Sequence, residues 1–223
     1  MRRLVAGAFL ATGCGTIHPG RAQAMPPADD YVLDELDRAG PARGKRPICA
    51  TEDIVPYRGT TVRYEVPASV HRAFVPRLTR FETIVEEIGV EVYGRKPRLL
   101  HHAGGYMCRT SWRGRMSEHA FGNALDIAGF SFPALSKTDL AKAKERGLEL
   151  PAKARRGFRI DVGPTWQSGS YPLAKRFFAR LLERTRAEPD LFRGMIGPPD
   201  PSHTTHLHLD AGPWAFSRYS PPA

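Results

Sequence analysis

The strongest constraint on the fold is the segment 206–210, in which polar and apolar residues alternate strictly. Successive side chains of a β-strand point to opposite faces, so His206, His208 and Asp210 share one face and the two leucines between them share the other. A strand with three polar side chains on one buried face is a poor core element, because each buried polar group needs its own partner. The segment therefore predicts a strand that contributes to a functional site.

A second segment begins at Ser117 and places His119 in a loop and Asp126 on the strand that follows. Gly122 and Ala124 between them are small, which lets the backbone pack tightly. Imidazole and carboxylate groups bind divalent metals, and catalytic zinc sites use three protein ligands with a fourth position open. With eight histidines in the chain, the spacing of His119 and Asp126, or that of the histidines in residues 206–208, could each arise by chance. Together the two segments predict one divalent metal site, with zinc as the expected ion.

Apolar periodicity elsewhere predicts both helices and strands. Apolar residues recur at three- and four-residue spacing over residues 75–88, and a second helical pattern covers about residues 173–186. Short strands are predicted at residues 98–102 and 124–130. Because these elements do not follow a regular βαβ order, we expect the α+β class.

The N-terminus has the layout of a secretory signal, with two arginines ahead of a short apolar run at residues 4–11. Two processing sites compete: a lipobox-like sequence that would make Cys14 a lipid anchor, and an A-x-A site at residues 22–24 that would release a soluble product. The first is favoured because residues 22–24 lie far beyond the apolar run, and a third alternative is an N-terminus without a targeting role. We expect a periplasmic protein or a lipoprotein anchored to the outer membrane.

Composition divides the chain into four parts. After a leader at residues 1–24, residues 25–47 are rich in proline, glycine, alanine and charge, which predicts a flexible tether. A single folded domain is expected at residues 48–217, because a chain of this length usually builds one core. Residues 218–223 are expected to form a tail.

Three cysteines are present, and lipidation or removal of Cys14 leaves Cys49 and Cys108. An even pair in an oxidising compartment predicts one disulfide, with two unrelated buried thiols as the alternative. Both cysteines flank predicted loops, which favours the bridge.

The formal net charge is +10, from 33 basic and 23 acidic side chains that are dispersed along the chain. A surface of this sign attracts polyanions, which outside the cytoplasm means cell-wall polymer or anionic lipid. The sequence contains no nucleic-acid-binding motif, so the net charge is the only feature that would support nucleic-acid binding. We therefore expect no nucleic-acid partner.

The motif Ser-x-His-x2-Gly-x-Ala-x-Asp, followed far downstream by His-x-His, resembles the zinc metallopeptidases of the D-Ala-D-Ala carboxypeptidase and murein endopeptidase group. Residues 105–109 resemble the Ser-Gly-Tyr-Arg element of that group. The resemblance implies zinc bound by His119, Asp126 and His208. It also implies a small antiparallel sheet flanked by helices, as in the D-Ala-D-Ala metallopeptidase fold, and amide hydrolysis by metal-activated water.

A closer resemblance, over roughly residues 49–210, is to the bacterial extensin-like C-terminal domain family. It rests on residues 117–130 and on the terminal His-x2-His-x-His-Leu-Asp. That family often has two further cysteines, and both are missing here, which fits Cys49 and Cys108 as the surviving pair.

The resemblance also assigns candidate catalytic histidines. Carboxypeptidases of the group carry a glutamate shortly before the last zinc ligand, whereas none lies between Asp200 and His208. Murein endopeptidases have a histidine at that place, which corresponds to His206, with His203 nearby. His206 is therefore the predicted proton-transfer group, and His203 is a second catalytic candidate.

Other polar residues receive supporting roles. Arg109 is a candidate for stabilising the oxyanion, with a salt bridge or a surface position as the alternative. Asp210 and Ser117 are expected to orient the metal ligands without binding the metal themselves. Glu118 is interpreted as a structural neighbour or loop cap, and His101 matches no ligand of the motif.

Two functions follow from these expectations. The first is an exported zinc-dependent endopeptidase or carboxypeptidase that acts on peptidoglycan peptides. The second is a metal-containing cell-wall binding module without turnover. The missing glutamate favours the binding module, whereas the complete ligand set together with His206 favours the peptidase, and the fold resemblance alone does not decide.

Overall fold

The computed structural model describes residues 36–111, 113–168 and 171–222. The predicted leader and the predicted lipid anchor at Cys14 lie outside these residues. Within the described part of the chain, no helix is both long and apolar enough to cross a membrane.

Helices and strands are mixed along the described chain, which confirms the α+β class. The strands are β1 (Ile54–Tyr57), β2 (Arg63–Tyr64), β3 (Ala68–His71), β4 (Leu99–Gly104), β5 (Ala124–Phe132), β6 (Phe158–Asp161), β7 (Gly194–Ile196), β8 (Leu207–Asp210) and β9 (Phe216–Arg218). The α-helices are α1 (Val75–Tyr93), α2 (Lys137–Glu145), α3 (Ala152–Arg155), α4 (Val162–Gln167) and α5 (Pro172–Arg186). Two short 3-10 helices are Arg72–Phe74 and Glu118–Phe121.

The central sheet has seven strands in the order β2-β4-β5-β8-β7-β9, and β6 also pairs with β5. It is larger and more mixed than the small antiparallel sheet that was expected. The pairs β2-β4 and β7-β9 are parallel, whereas the pairs around β5 and β8 are antiparallel. Strand β5 is long enough to pair with β8 along its first half and with β6 along its second half. Strands β1 and β3 form a separate antiparallel pair.

Helix α1 confirms the predicted helix and continues beyond its predicted end, to Tyr93. Four apolar side chains at the predicted spacing are fully buried: Leu78, Phe81, Val85 and Ile88. Helix α5 buries phenylalanine and leucine side chains in the same core. The apolar periodicity thus identified the two helices that contribute most to this core.

Strands β5 and β8 separate the apolar core from the candidate site. Leu125 and Ile127 of β5, like the two leucines of β8, belong to the core that contains the apolar faces of α1 and α5. Alternation along the strands therefore turns Asp126 and His208 away from this core. These two residues are register partners on neighbouring strands, so pairing of β5 with β8 brings their side chains together. The predicted division of faces on β8 is confirmed.

The predicted disulfide is confirmed, because Cys49 and Cys108 are bonded with their Cα atoms 5.7 Å apart. The bridge ties the segment before β1 to the loop after β4, which leads toward the residues of the candidate site. It therefore joins two irregular segments that no strand pairing connects.

Replacing both bridged cysteines with serine is expected to lower the free energy of unfolding by about 4 kcal/mol in the chain-entropy treatment. The bridge closes a loop between residues 59 positions apart, which restricts the unfolded chain. Denaturant unfolding of the oxidised protein and the Cys49→Ser, Cys108→Ser variant measures the difference. A reductant should bring the wild type to the stability of the variant and leave the variant unchanged; equal stability in all conditions would contradict the expectation.

The described part of the predicted tether contacts the domain at Arg38, which is 5% exposed. Its guanidinium forms an ion pair with Glu118, with Nε 2.6 Å from Oε1. The same guanidinium lies 5.4 Å from the ring centroid of Phe121 and 5.9 Å from that of Trp214. The carboxylate of Glu118 compensates the buried charge of Arg38. Buried contacts with the domain therefore begin before residue 48, where the domain was expected to start.

Candidate metal centre

Three side chains converge on the face of the sheet opposite the apolar core. The distance from Nε2 of His119 to Oδ1 of Asp126 is 3.2 Å, and the distance to Nδ1 of His208 is 3.1 Å. The third side of this triangle, from Nδ1 of His208 to Oδ1 of Asp126, is 2.9 Å. These are the three residues predicted as metal ligands, and they form a cluster that could hold a metal ion.

The outer nitrogen of each imidazole is fixed by a hydrogen bond to a different group. Nδ1 of His119 donates to the backbone carbonyl of Gly105. Nε2 of His208 donates to Oδ2 of Asp210 at 2.9 Å. With these protons outside, both rings can present a lone pair to the centre of the triangle, which is the usual arrangement of metal-bound histidines.

The donor set fits a divalent cation. Two imidazole nitrogens and one carboxylate oxygen are common zinc ligands, and the ligand atoms of a tetrahedral zinc lie about 3.3 Å apart given its bond lengths. The cluster of His119, Asp126 and His208 is close to that spacing. The same donors also bind other first-row metals, so the geometry supports a metal site without identifying zinc.

Electrostatics favour a positive charge at the centre of the triangle. Burial lowers the pKa of His208, but hydrogen bonds to Asp126 and Asp210 outweigh burial and raise that pKa to about 9. Burial also opposes ionisation of Asp126, yet hydrogen bonds from His119 and His208 hold the pKa of its carboxyl well below the usual range. A proton and a metal ion compete for such a position, because both compensate the buried carboxylates.

The loop that carries His119 is held by local hydrogen bonds. The hydroxyl of Ser117 accepts from the backbone N–H of His119 at 3.4 Å and so begins the short 3-10 helix. This helix ends at Gly122, where a Cβ atom would lie only 2.5 Å from the backbone nitrogen of His71. The predicted close backbone packing at Gly122 is thus present. Ser117 acts here on the backbone of a ligand residue and makes no contact with the triangle atoms among the hydrogen bonds of the described chain.

The carboxylate of Asp210 occupies space that a glycine provides. Gly194 of β7 is the register partner of Asp210, and a Cβ atom there would lie 2.1 Å from Oδ2 of Asp210. The other carboxylate oxygen accepts from the backbone N–H of Gly212 at 2.8 Å. Asp210 is therefore locked in the position from which it contacts His208.

Asp210→Asn is expected to weaken metal binding by about 10- to 100-fold, the usual cost of losing an outer partner of a metal ligand. The amide has only one acceptor oxygen, so it cannot serve both His208 and Gly212 as the carboxylate does. Competition with a chromophoric chelator measures the affinity. Gly194→Ala should also weaken binding because its methyl group displaces the carboxylate. Gly157→Ala is the matched control, since the nearest atoms to its Cβ position lie at 3.5 Å, which is ordinary van der Waals contact; equal affinity in all variants would refute the role of Asp210.

The two predicted catalytic histidines lie beside the triangle and are more exposed than its members. Nε2 of His206 is 3.8 Å from Oδ1 of Asp126, and its side chain is 17% exposed. The ring centroid of His203 is 4.9 Å from that of His206 and 5.7 Å from that of His208. Burial lowers the pKa of His206, although Asp126 opposes this effect. The structure thus brings both histidines to the site, and their catalytic roles stay predictions.

Three other residues considered in the sequence analysis form no hydrogen bond or ion pair with the three ligands among the described residues. Arg109 is exposed, and within the described residues its side chain forms no hydrogen bond or ion pair with the three ligands, so its role in oxyanion stabilisation stays a prediction. Glu118 is occupied by Arg38 and by the amide of Asn123, which supports its structural interpretation. The ring of His101 lies between Glu65 and a serine hydroxyl on β5, each at 2.6 Å.

Two contributors to the site were not predicted. The carbonyl of Gly105 is a backbone atom, so no residue type marked it in the sequence. Asp200 accepts a hydrogen bond from Nδ1 of His203 at 2.8 Å, and this contact holds the pKa of Asp200 below its usual range. Asp200 precedes a proline, a pattern typical of turns, and this signal could have indicated a turn stabilised by the aspartate.

The family described as extensin-like protein C-terminus matches residues 34–156, which is more than half of the chain and includes His119 and Asp126. The strand with His208 lies beyond the matched residues. No curated protein and no solved structure matches the chain. Because the match covers more than half of the chain, this chain belongs to the extensin-like protein family.

Proposed function

We propose that this protein is an exported zinc-dependent peptidase that hydrolyses amide bonds in peptidoglycan peptides. The observation that carries the proposal is the cluster of His119, Asp126 and His208, whose inward atoms lie 2.9 to 3.2 Å apart. Any buried imidazole N–H needs an acceptor, so the observation that favours a metal is that both rings, with their outer nitrogens already paired, turn their other nitrogens toward one carboxylate oxygen. Fixed outer nitrogens are characteristic of metal-bound histidines.

The residues of the chain would divide the work as follows. His119, Asp126 and His208 hold the zinc, which when bound supplies Lewis acidity and lowers the pKa of a coordinated water. His206 takes a proton from the attacking water, because it lies beside Asp126 and is partly open to solvent. Protonated His206 then returns this proton to the nitrogen of the leaving amine. The water oxygen bonds to the carbonyl carbon first, and the C–N bond breaks when the nitrogen receives the proton, so that one water and one amide give one carboxylic acid and one amine.

Charge and chemistry support peptidoglycan as the substrate class. Its stem peptides carry free carboxylates, and a protein with a formal net charge of +10 attracts such anionic groups. The secretory layout of the N-terminus would deliver the protein to the compartment that contains this polymer. Anchoring through Cys14 would hold it at the membrane surface beside the wall, and nucleic acid is not part of the proposal.

A second candidate is a metal-containing wall-binding module without turnover. It is favoured by the absence of a glutamate between Asp200 and His208, because carboxypeptidases of the resembled group have a glutamate there as general base. In this chain histidines occupy the same region. The two candidates differ in one observable, which is whether amide bonds are cleaved.

Incubation of the zinc-loaded protein with purified muropeptides, followed by mass spectrometry, tests the proposal. The peptidase should give product pairs whose masses sum to the substrate plus one water. His208→Ala and the chelated wild type should give none, and zinc should restore activity only to the wild type. Retention of the protein on wall sacculi without any cleavage would support the binding module and overturn the peptidase.

A further inference from the structure

A buried carboxylate lies behind His203 and was not assigned any role by the sequence. Asp200 is 8% exposed and lies in the loop between β7 and β8. Its Oδ1 accepts from Nδ1 of His203 at 2.8 Å and from the backbone N–H of Ser202 at 3.0 Å. Its Oδ2 accepts from Nη1 of Arg218 at 3.1 Å. Both carboxylate oxygens therefore have partners, and the aspartate is fixed in place.

This contact determines which nitrogen of the His203 ring carries a free lone pair. A neutral imidazole with its proton on Nδ1 has its lone pair on Nε2. Nδ1 of His203 faces Asp200, and among the described residues Nε2 of His203 has no hydrogen-bond partner. The ring itself lies against the rings of His206 and His208. Nε2 is consequently the atom that His203 has available for the site.

We propose that Asp200 is a positioning residue of the metal centre, which holds His203 in the tautomer with a free Nε2 beside His206. Nε2 of His203 then accepts a hydrogen bond from the attacking water and orients it for proton transfer to His206. The inference deepens the proposed peptidase function and rests on it for the catalytic part. An aspartate that fixes the tautomer and orientation of an active-site imidazole is an established device in hydrolases.

A substitution at Arg218 distinguishes the positioning role of Asp200 from a purely structural role. If Asp200 served only to stabilise its loop, its contacts with Arg218 and Ser202 would matter as much as the contact with His203. Arg218 is 65% exposed, so its replacement removes one partner of the carboxylate with little disturbance of packing. Arg218→Gln leaves the bond between Asp200 and His203 in place and is the matched control.

The first experiment observes the tautomer directly in the zinc-loaded, nitrogen-15-labelled protein. Long-range nitrogen–proton NMR spectra distinguish imidazoles protonated at Nδ1 from those protonated at Nε2, and His203→Ala assigns the signals. Wild type and Arg218→Gln should show His203 protonated at Nδ1. Asp200→Asn should shift the ring toward the Nε2-protonated form, since the amide can donate to Nδ1. Wild-type His203 protonated at Nε2 would overturn the proposal without any variant.

The second experiment measures turnover. Asp200→Asn should lower kcat by about 10- to 100-fold with little change in KM or metal content. In the His203→Ala background the same substitution should have no further effect, because the two residues act as one unit. An equal loss in both backgrounds would show a structural role and overturn the proposal. Absence of turnover in the wild type would overturn the proposed function instead, while the NMR result would still decide whether Asp200 positions His203.

Discussion

His208→Ala is expected to abolish metal binding, whereas His206→Ala should keep about one metal ion per chain. The two histidines are separated by a single residue, so the pair is a matched test of the assignment. Of these two histidines, His208 has its Nδ1 3.1 Å from Nε2 of His119 and 2.9 Å from Oδ1 of Asp126, and its ring is held there by Asp210. Nε2 of His206 lies 3.8 Å from Oδ1 of Asp126. A three-ligand site rarely survives the loss of one ligand.

Elemental analysis after dialysis measures the metal content of wild type and both variants. Thermal unfolding gives an independent readout, because metal at 1,000 times its dissociation constant stabilises the folded state by about 4 kcal/mol. Added zinc should raise the melting temperature of the wild type and of His206→Ala and leave that of His208→Ala unchanged. Equal metal content in the two variants would show that the ligand set is wrong.

The sequence could predict the faces of β8 because the information is local. Alternation over residues 206–210 is sufficient to place His208 opposite the leucines, whatever the strand pairs with. The helices α1 and α5 were equally predictable, because their apolar residues recur at helical spacing along the chain itself. Prediction therefore succeeded where periodicity within one element determines the result.

The register of β5 against β8 could not be predicted from periodicity within one strand. Pairing of Asp126 with His208 joins residues far apart in the chain, and periodicity carries no information on which strands become neighbours. The family resemblance supplied this information, since it implied that Asp126 and His208 bind the same ion. The parallel pairs β2-β4 and β7-β9 were not anticipated for the same reason.

The outer partners of the site show a further limit of sequence analysis. Asp210 was expected to support a ligand because it shares a strand face with His208, whereas the carbonyl of Gly105 has no side-chain signature. Arg38 was assigned to a tether on composition, yet its single side chain pairs with Glu118 next to His119. Composition averages over a segment, and one buried ion pair is lost in that average.

His206→Ala is expected to lower the rate of amide hydrolysis by roughly 10²- to 10⁴-fold, the usual contribution of general acid–base catalysis. Nε2 of His206 lies 3.8 Å from Oδ1 of Asp126 and its side chain is 17% exposed, and the proposed mechanism assigns both proton transfers to this ring. Because it is not a ligand, the metal should remain and KM should change little. Single-turnover kinetics with muropeptide substrate, at matched metal content, measure the chemical step.

His102→Ala is the control for the loss of an imidazole as such. His102 is half-buried on β4 and bonds the carbonyl of Val66 at 3.0 Å, and among the described residues it has no hydrogen bond or ion pair with the three ligands, so its replacement should leave the rate near that of the wild type. His206→Ala with metal retained and an undiminished rate would show that another group transfers the proton, even if His119, Asp126 and His208 hold the ion. A loss of rate that follows a loss of metal would instead place His206 among the ligands. The combination of retained metal and a slow chemical step is thus the result that assigns proton transfer to His206.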